Sequence, residues 1–253
     1  VTGAETGGGA GPAGETTLLV LAKEPVPGRV KTRLTPPYTP EQAAGLAAAA
    51  LADTLDLVAE VPARHRVLVL AGRPGPWLPD GAGVEVVPQA AGGLDERIAA
   101  AFALCDGPAL LIGMDTPQLT PDLLRPVTAP DGWTGCDAWF GPAADGGFWA
   151  LGLAAPDPEL VRGVPMSDAR TGAVQRRRLV DAGLAVRDLP VLRDVDTARD
   201  AAEVAGVCGA APGAPYGSGA PYGGSGAYAG GGGHPGGARF AAAYAELQRA
   251  VAR

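Results

Sequence analysis

The chain has 253 residues, a formal net charge of -7, 39 glycines, 25 prolines and three cysteines. That length can hold one α/β domain with a real core, without disulfides or structural metal. Its acidity excludes a general nucleic-acid binder, which needs a broad basic face, and the scattered Cys105, Cys136 and Cys208 exclude a zinc knuckle or a disulfide framework.

Residues 1–15 are rich in Gly, Ala and Thr, offer little to bury and are predicted to be disordered. The first strand is predicted at Thr17–Ala22, an apolar run. Thr39-Pro40-Glu41-Gln42 then has the pattern of a helix start: a Thr cap, Pro at the first helical position and Gln three residues after the cap. In the alanine-rich run that follows, Leu51, Leu55 and Val58 fall on one face. Strands are predicted at Arg66–Ala71 and Val84–Pro88, and a helix at Leu94–Leu104. The near-continuous apolar run Ala109–Met114 reads as a central parallel strand covered on both faces. Asp137–Gly141 and Gly147–Leu153 read as two strands around a polar turn. A helix at Asp168–Ala182, an extended run at Leu184–Leu189 and a helix at Thr197–Val204 complete the body, predicted to span residues 16–208. This alternation implies a mostly parallel, mixed α/β sheet flanked by helices. Residues 209–238 read as a Gly/Pro/Tyr-rich linker. Residues 239–253 form a C-terminal helix with Phe240, Tyr244, Leu247 and Val251 on one stripe, expected to dock back on the body.

No apolar run reaches the ~18 residues that a bilayer span needs. The residues at the start of the chain have neither the basic start nor the apolar middle of a signal peptide. A cytoplasmic protein, not an integral membrane protein, is expected.

Four constellations carry chemistry. Lys23-Glu24-Pro25-Val26-Pro27-Gly28-Arg29-Val30-Lys31-Thr32-Arg33-Leu34 follows the first strand directly. Prolines stiffen this loop, Gly28 permits close approach of backbone to a ligand, and Lys23, Lys31 and Arg33 can neutralise a diphosphate, Arg33 in bidentate fashion. Ligands of open α/β sheets gather at the carboxyl ends of strands, where this loop stands. A Walker loop is excluded because the Gly-Lys-Ser/Thr adjacency is missing, and no GxGxxG follows the first strand. The second constellation, Gly113-Met114-Asp115-Thr116-Pro117, ends the central strand with an acid suited to a divalent cation. In the third, Gly141-Pro142-Ala143-Ala144-Asp145-Gly146-Gly147, glycines surround Asp145, which either makes a tight hairpin or faces an acceptor. In the fourth, Asp194-Val195-Asp196-Thr197-Ala198-Arg199-Asp200, Thr197 and Asp200 read as a helix cap. That leaves Asp194 and Asp196, at alternate positions, to face a metal. His65 and His234 are isolated, Arg176-Arg177-Arg178 reads as a solvated helix face, and no Ser/His/Asp or Cys/His set is evident, which disfavours hydrolase chemistry.

Residues 21–34 resemble the signature of a bacterial glycosyltransferase-A-like family of nucleotide-diphospho-sugar transferases, some known as arsenosugar-biosynthesis glycosyltransferases. The resemblance continues in order through Gln89–Phe102 (with Leu94, Glu96 and Arg97), the Asp115 and Asp145 segments and Asp194-Val195-Asp196-Thr197, covering roughly Thr17–Val207. It implies a Rossmann-like nucleotide-diphospho-sugar transferase fold. The chain is also similar, more distantly, to nucleotidyltransferases such as phospholactate guanylyltransferase. It departs from the family pattern at Asp95, Phe148 and Met166-Ser167-Asp168, where Gly, Tyr and an aromatic-Ser-Thr run are usual.

The expectation is a transferase dependent on Mg²⁺ or Mn²⁺ that uses a nucleotide sugar, with a small-molecule or lipid-linked acceptor. Lys23, Gly28, Lys31 and Arg33 would hold the donor phosphates, Asp115 and Asp196 the metal, and Asp145 would serve as catalytic base. The alternatives are a nucleotidyltransferase that releases pyrophosphate from a nucleoside triphosphate, and a catalytically silent nucleotide-binding protein.

Overall fold

The computed structural model describes residues 14–79, 81, 83–209 and 236–251. Most of the expected N-terminal segment and linker, His234 and the last two residues lie outside that set, as does the Val251 side chain. Among the described residues seven strands form one sheet: β1 (Thr17–Lys23), β2 (Arg66–Ala71), β3 (Glu85–Pro88), β4 (Ala109–Gly113), β5 (Ala138–Pro142), β6 (Phe148–Leu153) and β7 (Val186–Asp188). Six α-helices are interspersed among the described residues: α1 (Pro40–Glu60), α2 (Leu94–Phe102), α3 (Pro121–Thr128), α4 (Thr171–Asp181), α5 (Ala198–Cys208) and α6 (Ala238–Val251). The fold is the mixed, helix-flanked α/β sheet expected.

Strand order is β3-β2-β1-β4-β6-β5-β7. The first three strands step one way across the sheet, and β4 then crosses to the other side of β1, so the order reverses between β1 and β4. In open α/β sheets the crevice at that reversal is where ligands bind. Strand β6 is antiparallel to both β4 and β5, and β7 is parallel to β5. Only β6 therefore runs against the other described strands, and the loops leaving β1, β4, β5 and β7 all open at one edge.

Alternation along β1 divides the core. Leu18, Val20 and Ala22 join Leu51, Leu55 and Val58 of α1 and Leu124 and Val127 of α3 on one face. Leu19 joins Ile98 and Phe102 of α2 and Leu179 of α4 on the other. Each fully buried leucine contributes roughly 1.5–3 kcal/mol of transfer free energy, which is what secures the two-faced cover of the central strands.

The start of α1 is the capping box read from sequence: Thr39 Oγ1 accepts from the Gln42 amide (3.3 Å) and the Gln42 side chain accepts from the Thr39 amide (2.9 Å). This helix is long and apolar enough to cross a bilayer by length and composition, but 61% of its most apolar window is buried inside the protein. Its apolarity serves the core. The sequence reading extended α4 three residues too early. Ser167 adopts a left-handed φ of 59°, the Asp168 side chain accepts from the Arg170 amide, and the Thr171 hydroxyl donates to the Pro165 carbonyl, so the helix begins only at Thr171. Helix α3, opened by Thr120 and Pro121 and containing Pro126, was not anticipated.

Candidate active site

The loop after β1 and the segment after β4 leave adjacent, in-register strands, Leu21 opposite Gly113. A further tie is the Lys23 amide donating to Met114 Sδ (3.2 Å). At the tip of this crevice the Lys31 ammonium lies 2.7 Å from Asp115 Oδ1 and 3.0 Å from Asp196 Oδ1. Its side chain is only 9% exposed. Burial lowers the pKa of Lys31, but the charges of Asp115 and then Asp196, with their hydrogen bonds, outweigh it and hold the ammonium above its ordinary value. Lys31 has a left-handed φ of 49°. That conformation costs a residue with a side chain about 1–2 kcal/mol, which the two ion pairs offset.

Asp196 is brought here by the loop between β7 and α5. The Val195 amide donates to the Asp115 carbonyl (2.9 Å), the Gln118 side chain donates to the Arg193 carbonyl (2.7 Å), and the Ala144 amide donates to the Leu192 carbonyl (2.8 Å). Val195 is buried in an apolar cluster with α1 and α5, so its extended neighbours Asp194 and Asp196 turn to the other side, as the alternation in sequence required. The other end of the loop is fixed by the Thr197–Asp200 capping box. Arg193 adds ion pairs to Asp200 and Glu203 (both 2.9 Å).

Asp194 is the most perturbed acid of the group. Desolvation first, and then the neighbouring charges of Asp115 and Asp145, push its carboxyl up to about 8, despite the opposing pull of Lys31. The charges of Asp115, Asp145 and Asp196 thus all bear on Asp194, opposed by the buried Lys31 ammonium.

Asp145 stands at the exposed turn between β5 and β6, its Oδ1 accepting from the Gly147 amide (2.8 Å). Gly146 adopts φ 92°, and a Cβ there would lie 1.9 Å from the Ala169 carbonyl oxygen. Only glycine lets this turn pack beneath residues 166–170. The tight hairpin and the placement of an acid beside the cluster are therefore both present.

Of the cationic loop, Lys31 joins the acids directly. Arg33 reaches Asp196 Oδ2 at 3.6 Å while remaining 75% exposed. Lys23, at the carboxyl end of β1, faces solvent. Gly28 has a φ of 73°, and a Cβ on it would meet nothing within 4 Å, so turn geometry and not internal crowding calls for glycine. Gln89 closes the neighbouring part of the edge, donating to the Ala22 (2.7 Å) and Val69 (3.0 Å) carbonyls and accepting from Arg97 (3.3 Å). His65 takes no part in the cluster, and the Arg176 and Arg177 guanidiniums pair with Asp188 and Asp181. Sequence reasoning did not foresee the pairing of Lys31 with the acids. No local pattern shows which distant groups a loop lysine will meet.

Carboxylate oxygens are the hard ligands that Mg²⁺ and Mn²⁺ prefer. Among the described residues no three acidic, histidine or cysteine side chains already form a cage. Mg²⁺ commonly takes one or two carboxylates and completes its shell with water and phosphate, so the Asp115–Asp196 pair fits such an ion, and buried Thr116 Oγ1, without a hydrogen-bond partner, follows Asp115 directly.

Residues 54–168 match a family described as "Uncharacterized protein conserved in bacteria (DUF2064)". No curated protein matches significantly. Among solved structures, the chain is similar to a "putative nucleotide-diphospho-sugar transferase" from Desulfovibrio desulfuricans G20 (27% identity, 73% of this chain and 83% of that one, TM-score 0.64). Weaker likenesses are to Rv0371c from Mycobacterium tuberculosis H37Rv (23% identity, 76% and 97%, TM-score 0.41) and to 2-C-methyl-D-erythritol 4-phosphate cytidylyltransferase from Thermus thermophilus (15% identity, 74% and 95%, TM-score 0.41). The chain thus has a glycosyltransferase-A-like fold of the nucleotide-diphospho-sugar transferase type, and carries the DUF2064 pattern over residues 54–168.

Proposed function

We propose that the protein is a metal-dependent transferase acting on a nucleotide-activated sugar. The observation that carries this reading is the meeting of Lys31 with Asp115 and Asp196 at the β1–β4 reversal. Likeness to the Desulfovibrio structure supports it. Residues 16–208 form the catalytic unit. Lys23, Lys31 and Arg33 hold the donor phosphates, with Gly28 shaping the loop that presents them. Asp115 and Asp196 hold Mg²⁺ or Mn²⁺; when bound, the cation supplies Lewis acidity toward diphosphate oxygens. Asp145, its carboxylate oriented by the Gly147 amide, accepts the proton of a hydroxyl on a small-molecule or lipid-linked acceptor. Rate acceleration then comes chiefly from positioning and from stabilising the departing nucleotide diphosphate. Cys105, Cys136 and Cys208 are free thiols, which suits a reducing cytoplasm.

The test is a thermal-shift screen of nucleotide sugars and nucleoside triphosphates, with and without Mn²⁺, followed by turnover with labelled donor. Mn²⁺-dependent stabilisation by a nucleotide sugar is expected. Pyrophosphate release from a triphosphate would replace glycosyl transfer with nucleotidyl transfer, and stabilisation by a nucleotide without turnover of either class would leave a catalytically silent nucleotide-binding protein.

A further inference from the structure

Both loops of the charged site are anchored in one apolar cluster. Leu34, next to Arg33, is fully buried there, and so is Val195, between Asp194 and Asp196, at 2% exposure. The same cluster contains Phe240, in the first turn of α6 and fully buried, with Tyr244 and Leu247 packed against it. Helix α6 thus lies behind the site and shares a core with both of its halves.

Specific polar contacts pin the helix in that place. The Asp53 carboxylate on α1 accepts from the backbone amides of Arg239 (3.0 Å) and Phe240 (2.8 Å), capping the start of α6. The Arg239 guanidinium reaches Asp56 Oδ2 at 2.8 and 2.9 Å. Gln248, two turns further on, donates to the Tyr38 hydroxyl (3.1 Å), and Tyr38 is buried in the Leu34 cluster. The segment entering α6 is equally constrained. A Cβ on Gly236 would lie 2.0 Å from the Leu119 carbonyl oxygen, and one on Gly237 would lie 2.2 Å from Cys208 Sγ. A helix that only covered apolar surface would need none of these fixings.

We propose that Phe240 is a positioning residue for the charged site: through Leu34 and Val195 it holds the Lys31 turn and the Asp194–Asp196 loop at the separation that brings Lys31 onto Asp115 and Asp196. The diphosphate part of the test rests on the function proposed above; the ion-pair part does not.

The experiment compares full-length wild type, Phe240→Ala and Phe240→Leu. One readout is the ¹⁵N NMR signal of the Lys31 ammonium, identified by its absence in Lys31→Arg; the other is calorimetric titration with inorganic pyrophosphate and Mn²⁺. Wild type should show a protected Lys31 signal. Phe240→Ala should lose it and bind pyrophosphate about tenfold more weakly, as expected when charged groups are displaced by a fraction of an ångström to an ångström. Phe240→Leu should restore both. A folded Phe240→Ala protein with the Lys31 signal and affinity unchanged would overturn the proposal, as would a wild type without the signal. If Phe240→Ala fails to fold, Phe240→Val, which shortens the same side chain within the apolar cluster, carries the same test: an unchanged signal overturns it. Loss of the signal in Phe240→Ala, with no pyrophosphate binding by wild type, would uphold the positioning role and remove the transferase reading.

Discussion

Lys31 Nζ lies 2.7 Å from Asp115 Oδ1, an ion pair joining the loop after the first strand to the end of the fourth. With Asp196 at 3.0 Å, the ammonium sits against the same two carboxylates that the proposed divalent cation would use, and so close to it. Two cations at such a separation repel by about 4 kcal/mol per pair of unit charges at a near-surface dielectric. Lys31→Met should therefore bind Mn²⁺ alone about tenfold or more tightly than wild type, while losing affinity for pyrophosphate. Titration calorimetry of each ligand separately is the check, and weaker Mn²⁺ binding in the variant would count against competition for the same place.

Asp115→Asn should remove Mn²⁺-dependent stabilisation by a nucleotide sugar and lower turnover at least about a hundredfold, because positioned charge dominates such transfers. Lys31 keeps Asp196, so the loss of stability should be limited to about 1–3 kcal/mol, below that of a buried ion left wholly unpaired. Denaturant unfolding in EDTA separates the two effects.

The pH dependence of metal-free stability follows from Asp194. Its carboxyl is held at about 8 in the folded protein, well above the ordinary carboxylate value near 4. Between those two values the folded chain binds a proton that the unfolded chain has released, so this group lowers stability progressively as pH rises from about 4 to 8. Asp194→Asn should flatten that decline and, at pH 8 in EDTA, raise the melting temperature by about 3–6 °C. Melts across the pH range decide it; an unchanged slope would mean that Asp194 ionises freely.

Gly146→Ala places a methyl group where the Ala169 carbonyl stands, at a φ of 92° that alanine rarely adopts. A cost of about 2–4 kcal/mol is expected, combining backbone strain and overpacking. Because this turn carries Asp145, turnover should fall further than donor binding does. Urea unfolding alongside kcat and KM tests both parts.

Much of the fold was readable because its elements announce themselves locally. The apolar runs of β1, β2 and β4 need cover on both faces, and Thr39-Pro40-Glu41-Gln42 and Thr197-Ala198-Arg199-Asp200 hold their helix starts within four residues. Helix α3 escaped notice because Pro126 interrupts a short pattern, and α4 was begun too early because the bonds that keep Ser167 and Asp168 out of it are side-chain choices. The acids and cations that meet at the β1–β4 reversal stand after strands, where position alone marks them as candidates. What composition and spacing do not encode is long-range charge balance. That Lys31 would meet Asp196, 165 residues away, and that Asp194 would be desolvated among its neighbours, depend on the β7–α5 loop being stitched to Asp115 and Gln118.

Because β6 alone is reversed, the chain delivers every one of these acids and cations to a single rim of the sheet. The other rim, where residues 61–65 and 103–108 lead into β2 and β4, carries none of that machinery. Changes at its exposed positions, such as Arg64 and His65, should leave the charged rim undisturbed, whereas Val61 and Ala63 are held there by the core.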